Sequence, residues 1–351
     1  MRRSPILLAV GVLAAASFAI AAEVVSEREP RQPTVTLRPA QKIEMPHREV
    51  DCNSPSHWDG DMFYVFNSTG HPFRSFGKGL DQLGSAEAVK FDNKVNGGRW
   101  LEATWLADDG TLYGWYHLEP AGLCPGSTLT APKIGALRST DQGATWKDRG
   151  IVLEARPGTL DCGSQNGWFA GGHGDFSVML DPEKKFLYLF YSNYAGKIEE
   201  QGVAVARMAW SDRDSPVGKV LKWYDGGFRE PGLGGKLAPA FRTQIDWKRE
   251  DCDSFWGPSV HWNVYLKQYV LLLNRAQGKG WKQEGIYISF AKDLADPTSW
   301  STPQKIFDGG RWYPCVVGHS DVRGTDKLAG RVARFFMANA SEPEIVFSLP
   351  A

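Results

Sequence analysis

The sequence predicts an all-β fold, a five-bladed propeller in a single domain, and three observations lead there. The first is recurrence. Five segments open on a polar or Gly/Pro-marked stretch, pass through a short apolar run and a tight turn, and end in an aromatic strand. The second is composition: 14 Trp, 18 Phe and 11 Tyr beside 38 Gly in 351 residues suit short aromatic strands joined by Gly-rich turns. The third is the weakness of helical signals, with no long i, i+3, i+4 apolar pattern flanked by caps. Repeats of this size, each about four short strands, mark a propeller. A propeller gathers one inner strand per blade around a central funnel. A polar residue where a blade opens is therefore a candidate for one shared site.

The five openings are 51–68 (DCNSPSHWDGDMFYVFNS), 99–117 (RWLEATWLADDGTLYGWYH), 171–192 (GGHGDFSVMLDPEKKFLYLFYS), 255–274 (FWGPSVHWNVYLKQYVLLLN), and 311–320 (RWYPCVVGHS) resuming at 331–340 (RVARFFMANA). The outer halves of blades recur too. Residues 135–154, 205–226 and 285–307 each carry a strand, a Ser/Asp turn, a Trp and another strand, with Trp146, Trp223 and Trp300 spaced 77 and 77 residues apart. The stretch from Ser139 to Trp146 fits S-x-D-x-G-x-T-W and resembles the Asp-box of sialidase-type propellers. Its physics is structural: the Asp caps backbone N–H groups in a hairpin and the Trp packs between blades. Residues 80–91 are expected to hold a short helix. Long insertions at 69–98, 119–133, 156–172 and 228–253 are expected to shape a binding face. The β-like stretches 34–37 and 344–347 both offer a strand to close the ring, and the sequence leaves open which does.

Composition bounds the partners. Forty acidic and 40 basic residues give zero net charge, and no basic run points to nucleic acid or an anionic membrane surface. Arg2 and Arg3, the apolar run 6–20 and the small-x-small site Ala19-Ile20-Ala21 read as an export signal. The expected organisation is a signal peptide over 1–22, an extension over 23–45 and the propeller over 46–351. The mature chain is expected to be secreted or periplasmic, with no stable membrane insertion after cleavage. Its oligomeric state stays open. Export places Cys52, Cys124, Cys162, Cys252 and Cys315 in an oxidising compartment. The odd count leaves at least one unpaired, and Cys124 with Cys162 is the expected pair, both lying in Gly/Pro-rich loops flanking the end of blade two. No Cys or His spacing suggests zinc, and no metal residue is assigned.

The blade openings carry the candidate chemistry. Blade one offers Asp51, blade two Glu102, blade three Asp175 with His173 two residues earlier, blade four Trp256 and His261, and blade five Trp312 and Tyr313. Strand alternation puts His173 and Asp175 on one face. Three carboxylates converging on one funnel is what glycoside hydrolysis needs: one protonates a leaving oxygen and another activates water or attacks the sugar carbon. Crowded like charges raise one pKa, so an acid survives near neutral pH. His71 and Arg74, just after the blade-one strand, are further candidates for holding substrate, Arg74 through its fork of donors. Trp256 and Trp312 are candidates for stacking on sugar faces.

On Asp51 with Ser54-Pro55, Glu102 in WLEATW, Asp175 in GDFSVMLD and the closing GRWYP, the chain resembles the five-bladed propeller glycoside hydrolases of family 43, with relatives in families 32, 62 and 117. The resemblance implies an exported glycosidase acting on a poly- or oligosaccharide, with no cofactor required and room for a structural calcium ion in the central channel with a His contact. Those families place an Asp base or nucleophile in blade one, an Asp in blade two and a Glu acid in blade three. Here the order is Asp, Glu, Asp. Asp51 carries over as the base, Asp175 takes the acid by blade position with Glu102 as its rival, and inversion is the expected outcome. The alternatives are a non-catalytic carbohydrate-binding propeller and a sialidase-like hydrolase, although nothing marks the arginine triad that a sialidase needs.

Overall fold

The computed structural model describes residues 32–319 and 322–350. The expected signal peptide over 1–22 lies outside the described residues. Regular structure among the described residues is strand, apart from three single 3-10 turns at Leu80–Gln82, Ile198–Glu200 and Trp210–Asp212. The helix expected at 80–91 is reduced to the first of these turns and two two-residue strand stubs, Glu87–Ala88 and Lys90–Phe91.

Five sheets, antiparallel apart from two short parallel pairings, form the five blades. Their inner strands are Ser56–Asp59, Gly98–Leu106, His173–Leu180, Asp253–Asn263 and Pro314–Gly318. The main strands of each of the first four blades run outward in chain order from the inner strand; Lys90–Phe91 adds to the outer edge of blade two, and Leu328–Ala329 flanks the inner strand of blade four. Blade five closes the ring differently. Its inner strand pairs with Val332–Met337, then Ala340–Ser348, and its outermost strand is Thr34–Glu44 from the other end of the chain. The register runs antiparallel from Thr34 opposite Ser348 to Glu44 opposite Ala340. Both terminal stretches thus meet in one blade. Residues 34–44, expected within an extension, belong to the propeller.

The core is a set of walls between blades. Phe66, Leu101, Leu137 and Trp146 fill the space between blades one and two, and Trp115, Ile134, Phe176 and Leu189 that between two and three. Phe190, Val205, Val260 and Leu271 lie between three and four, Val270, Ile288, Phe335 and Phe347 between four and five, and Phe63, Val65, Val317 and Phe336 between five and one. The second strand of a blade shows why its sequence is apolar throughout. In Gln268–Gln277, Leu271 and Leu273 face blade three while Val270 and Leu272 face blade five. A strand buried on both faces has no polar side to show.

The Asp-box behaves as its chemistry dictates. Asp141 Oδ1 accepts from Thr145 N at 2.9 Å and Ser139 Oγ at 2.8 Å, and Gly143 N donates to Ser139 Oγ at 2.9 Å. The hairpin so fixed sends Trp146 edge-on to Phe66 of blade one, 6.0 Å between ring centroids. Trp300 packs the same way on Phe190, 5.5 Å away in the preceding blade. Because Trp146 is 1 % exposed, Trp146→Ala is expected to lower stability by about 3–5 kcal/mol. Equilibrium denaturant unfolding checks this, and an unchanged midpoint would refute the wedge role of this ring.

Candidate functional site

The inner strands do not run straight. In blade two the pairing skips between Leu101 and Ala103, leaving Glu102 as the extra residue. In blade three it skips between Gly174 and Phe176, leaving Asp175. Blade four skips between Trp256 and Ser259. In blade one, Asp51 N bonds Ser68 O and Phe66 N bonds Pro55 O, each at 2.9 Å, so residues 52–54 oppose the single residue Asn67. A bulge bends the strand and re-aims a side chain. Here bulges aim several side chains at the funnel.

The funnel ends in a pocket of about 380 Å³, part of it open to solvent, lined by Asp51, Trp100, His117, Glu119, Trp168, Phe169, Asp175, Trp256, Trp281, Trp312 and Tyr313. Three of these, Asp175 at φ 41°, Trp281 at φ 55° and Tyr313 at φ 58°, occupy the left-handed backbone region. Each such residue costs on the order of 1–3 kcal/mol, and such strain gathers at sites of function. A wider cleft of about 1630 Å³ lies between blades one and five. Two of its charged groups are taken up by the framework: Arg334 donates to Gln41 O at 2.6 Å and Ser341 O at 2.8 Å, and Glu344 accepts from Arg38. Size alone does not mark the site.

Asp175 is buried, and both its carboxylate oxygens accept from phenols: Oδ2 from Tyr194, Oδ1 from Tyr313 at 3.0 Å. Burial raises its pKa, opposed by the His117 charge and the two hydroxyls. Burial and the Asp175 charge hold both phenols well above their ordinary range, so they donate. Asp51 is exposed as a residue, yet its carboxyl end packs into the pocket. That desolvation, with Asp175 and Glu119 nearby, raises its pKa from 3.8 to about 6. Asp51 and Asp175 line the same pocket, and the Asp175 charge adds to the rise at Asp51.

Glu102 does not reach the pocket. It is 1 % exposed; its Oε2 accepts from Phe176 N at 2.9 Å, and its Oε1 lies 3.0 Å from His117 Nδ1. Burial lifts its pKa to about 7 against the pull of that histidine. His117 Nδ1 is also 3.1 Å from Asp175 N, and Nε2 is 3.2 Å from Glu119 Oε1, within ion-pair range but not aligned as a hydrogen bond. With Nδ1 unprotonated the ring accepts from the Asp175 amide, whereas with Nδ1 protonated, in the neutral or the charged ring, it donates to Glu102. Burial disfavours the charged ring, but the carboxylates on either side outweigh it and hold the pKa well above 6.5. Glu102 is thus a positioning residue. It ties blade two to blade three and holds the ring that faces the pocket.

Atoms of Glu102, His117 and Asp175 lie within 4.8 Å of one another in a grouping that metals use. Calcium asks for about 6–8 oxygen ligands. These carboxylate oxygens already accept from an amide, an imidazole and two phenols, and the third ligand is a nitrogen, so the group does not fit calcium. No such grouping among the described residues includes His173 or His261.

The pocket takes Asp51, Asp175, Trp256, Trp312 and Tyr313 from the sequence candidates, and leaves out four more besides Glu102. His71 and Arg74 sit at the blade-one strand Pro72–Gly77, two strands out from the axis. His71 Nε2 is 3.0 Å from Val89 O, while Arg74 Nη1 donates to Asp141 O at 3.1 Å and locks blade one to the Asp-box hairpin. His173 was expected to share a face with Asp175, but the bulge between them breaks the alternation. Its ring lies beside Tyr191, with Nδ1 3.1 Å from Gly172 O. His261 follows the bulge of blade four and is buried beside Phe347. His117 and Glu119 were not singled out, although they lie two apart on one strand face, a signal that alternation offers. Trp168 and Phe169 lie in the insertion 156–172, and Cys124 and Cys162 are bonded, with Cα atoms 5.5 Å apart. Cys52, Cys252 and Cys315 are free and buried.

No protein-family model matches the chain, and no curated protein matches it. Among solved structures it is similar to a putative exo-beta-1,3-galactanase from Bifidobacterium bifidum s17, at 13% identity and TM-score 0.50, covering 84% of this chain and 86% of the other. It is similar to an endo-arabinase from Bacteroides thetaiotaomicron VPI-5482, at 13% identity and TM-score 0.50, covering 88% and 96%. It is also similar to a thermostable family-43 glycoside hydrolase, at 10% identity and TM-score 0.50, covering 91% of each chain. At these identities the likeness establishes a shared propeller fold.

The raised Asp51 pKa has a stability consequence. Because the folded value lies above the unfolded one, the native chain holds a proton that the unfolded chain releases between about pH 4 and 6. Stability from this group therefore falls as pH rises through that window and stays low above it. Asp51→Asn is expected to raise Tm relative to the parent at pH 8 and to leave it unchanged at pH 3. Scanning calorimetry at both values checks this, and a variant less stable at pH 8 would show that Asp51 is not a strained carboxylate.

Proposed function

We propose that the protein is an exported glycoside hydrolase in which Asp51 and Asp175 are the reacting pair. The observation that carries this is two carboxyl groups in different surroundings in one aromatic-walled pocket, Asp175 held by two tyrosine hydroxyls. Hydrolysis at an anomeric centre needs a proton donor and a carboxylate, and distinct surroundings allow one of each. Asp175, gripped by two phenols at the pocket floor, supports the carboxylate role. Asp51, with a pKa of about 6 and a place at the mouth, supports the acid role, because the leaving group departs toward solvent. Blade position alone suggested the reverse division. Burial raises the Asp175 pKa too, but the two hydroxyl donors and the His117 charge oppose that rise and favour its ionised form, which turns the argument.

Aromatic walls suit the apolar faces of sugar rings. No Lys or Arg lines the pocket among the described residues, which fits an uncharged sugar and gives a sialidase-like reading no carboxylate grip. The Cys124–Cys162 bond supports export, since disulfides persist in oxidising compartments. This reading requires no cofactor.

A screen of mature protein against plant, algal and bacterial glycans with reducing-end detection tests the activity. Asp51→Asn and Asp175→Asn are each expected to lower turnover by about 10²–10⁴-fold or more with the fold retained. The pH profile assigns the roles: kcat/KM falling as pH rises through about 6 makes Asp51 the acid, and falling as pH drops through it makes Asp51 the base. NMR of the first-formed anomer separates inversion from retention. Saccharide binding without any turnover would turn the reading to a binding propeller.

A further inference from the structure

Resting on the hydrolase reading, we infer that the site accepts only the end of a sugar chain: the enzyme is exo-acting on a terminal, uncharged residue. An internal cut needs a groove open at both ends. Here all five blades, with the loop between blades two and three, contribute to the pocket wall. That loop also crosses the funnel. Trp168, 48 % exposed, comes from the blade-two side and reaches rings of two distant blades: Trp312 of blade five at 5.9 Å, edge to face, and Trp281 of blade four at 6.4 Å.

The crossing is anchored at both flanks. On the blade-two side Thr130 N donates to Trp168 O at 3.1 Å, and the Cys124–Cys162 bond ties the strap to the preceding insertion. On the far side Gln165 N donates to Lys248 O at 2.7 Å, and Asn166 Nδ2 donates to Trp247 O at 2.7 Å. Asn166 Oδ1 in turn accepts from the amides of Trp168 and Phe169, each at 2.8 Å. A strap held at both ends is a wall. The space behind it is narrow, about 380 Å³ even with the part open to solvent included. With Asp51 at the mouth and Asp175 at the floor, a terminal ring fills the pocket and the rest of the chain lies outside.

Tri- to hexasaccharides of β-1,3-galactan and of arabinan are the probes, used with the mature protein and with Asp175→Asn. Chromatography of early products is expected to show monosaccharide alone; intermediate oligosaccharides at early times would overturn the inference while leaving hydrolysis standing. Saturation-transfer NMR on Asp175→Asn is expected to label the terminal residue only, and equal labelling of internal residues would overturn it independently of turnover. Terminal labelling with no turnover keeps the end-binding geometry and removes the hydrolase reading. No binding of either series overturns both for these sugars. Trp168→Ala, at an exposed position, is expected to raise KM at least tenfold and to let longer products appear. Unchanged KM and products would show that the strap is not the wall.

Discussion

The ring is held at its axis by side chains that reach across to the backbone of a neighbouring blade. Ser68 Oγ takes the Leu101 amide of blade two at 3.1 Å, and Glu102 Oε2 takes the Phe176 amide of blade three at 2.9 Å. Ser192 Oγ takes the Gly257 amide of blade four at 2.9 Å, and Ser177 Oγ takes Val260 N at 3.1 Å. Asn53 reaches across the channel and donates to Phe176 O at 2.9 Å and Pro258 O at 3.0 Å. Bulges release these backbone groups from ladder pairing, and buried amides and carbonyls left unpaired are expensive. The bulges can exist only because the neighbouring blade answers them, and the bulges are what aim side chains into the funnel.

That constraint divides the three carboxylates. Glu102 and Asp175 occupy equivalent bulge positions, yet Glu102 is used up by the junction of blades two and three. Its longer side chain is what lets it reach the Phe176 amide, and the same reach removes it from the pocket. Asp175 is too short to cross and instead meets Tyr194 and Tyr313. Asp51 lies just before the blade-one bulge, which places its carboxyl at the rim and not in the junction. One residue type at one blade position can thus serve framework or chemistry, depending on whether its oxygen meets a released amide.

The legible part of the sequence was what depends on local pattern. Five aromatic strands, their turns, the Asp-box geometry and the Cys124–Cys162 pair follow from residue types and spacing within a few dozen residues. The illegible part depends on partners distant in sequence. Nothing near His173 announces that the strand slips at Asp175, because a bulge is a mismatch with Phe186–Asn193 opposite. One slip sends His173 away from the pocket. Arg74 likewise donates to the blade-two hairpin, a partner 67 residues away in sequence. Asp51 and Asp175 line the pocket because opening positions are fixed by topology. His117 and Glu119 lie off the inner strands, at the end of the second strand of blade two, on which the pocket also draws.

The pocket's backbone strain completes the physical account. Asp175, Trp281 and Tyr313 hold left-handed conformations that L side chains resist, and none of the three is glycine. Glycine would relieve the strain, but it would remove the carboxylate, a wall of the pocket, or a hydroxyl that holds Asp175. The surrounding fold over-determines these conformations: Asp175 by its two phenols, and Trp281 by rings of Trp247 at 4.5 Å and Trp256 at 5.2 Å. Tyr313 is fixed by the Trp256 ring at 5.5 Å and by Asp175 itself. The aromatic cluster under the pocket therefore does two things at once. It supplies the apolar surface that a sugar ring would meet, and it clamps the strained backbone that presents the carboxyl groups. A pocket built this way gains pre-organisation at the expense of adaptability, which suits a site that receives one small, rigid ring.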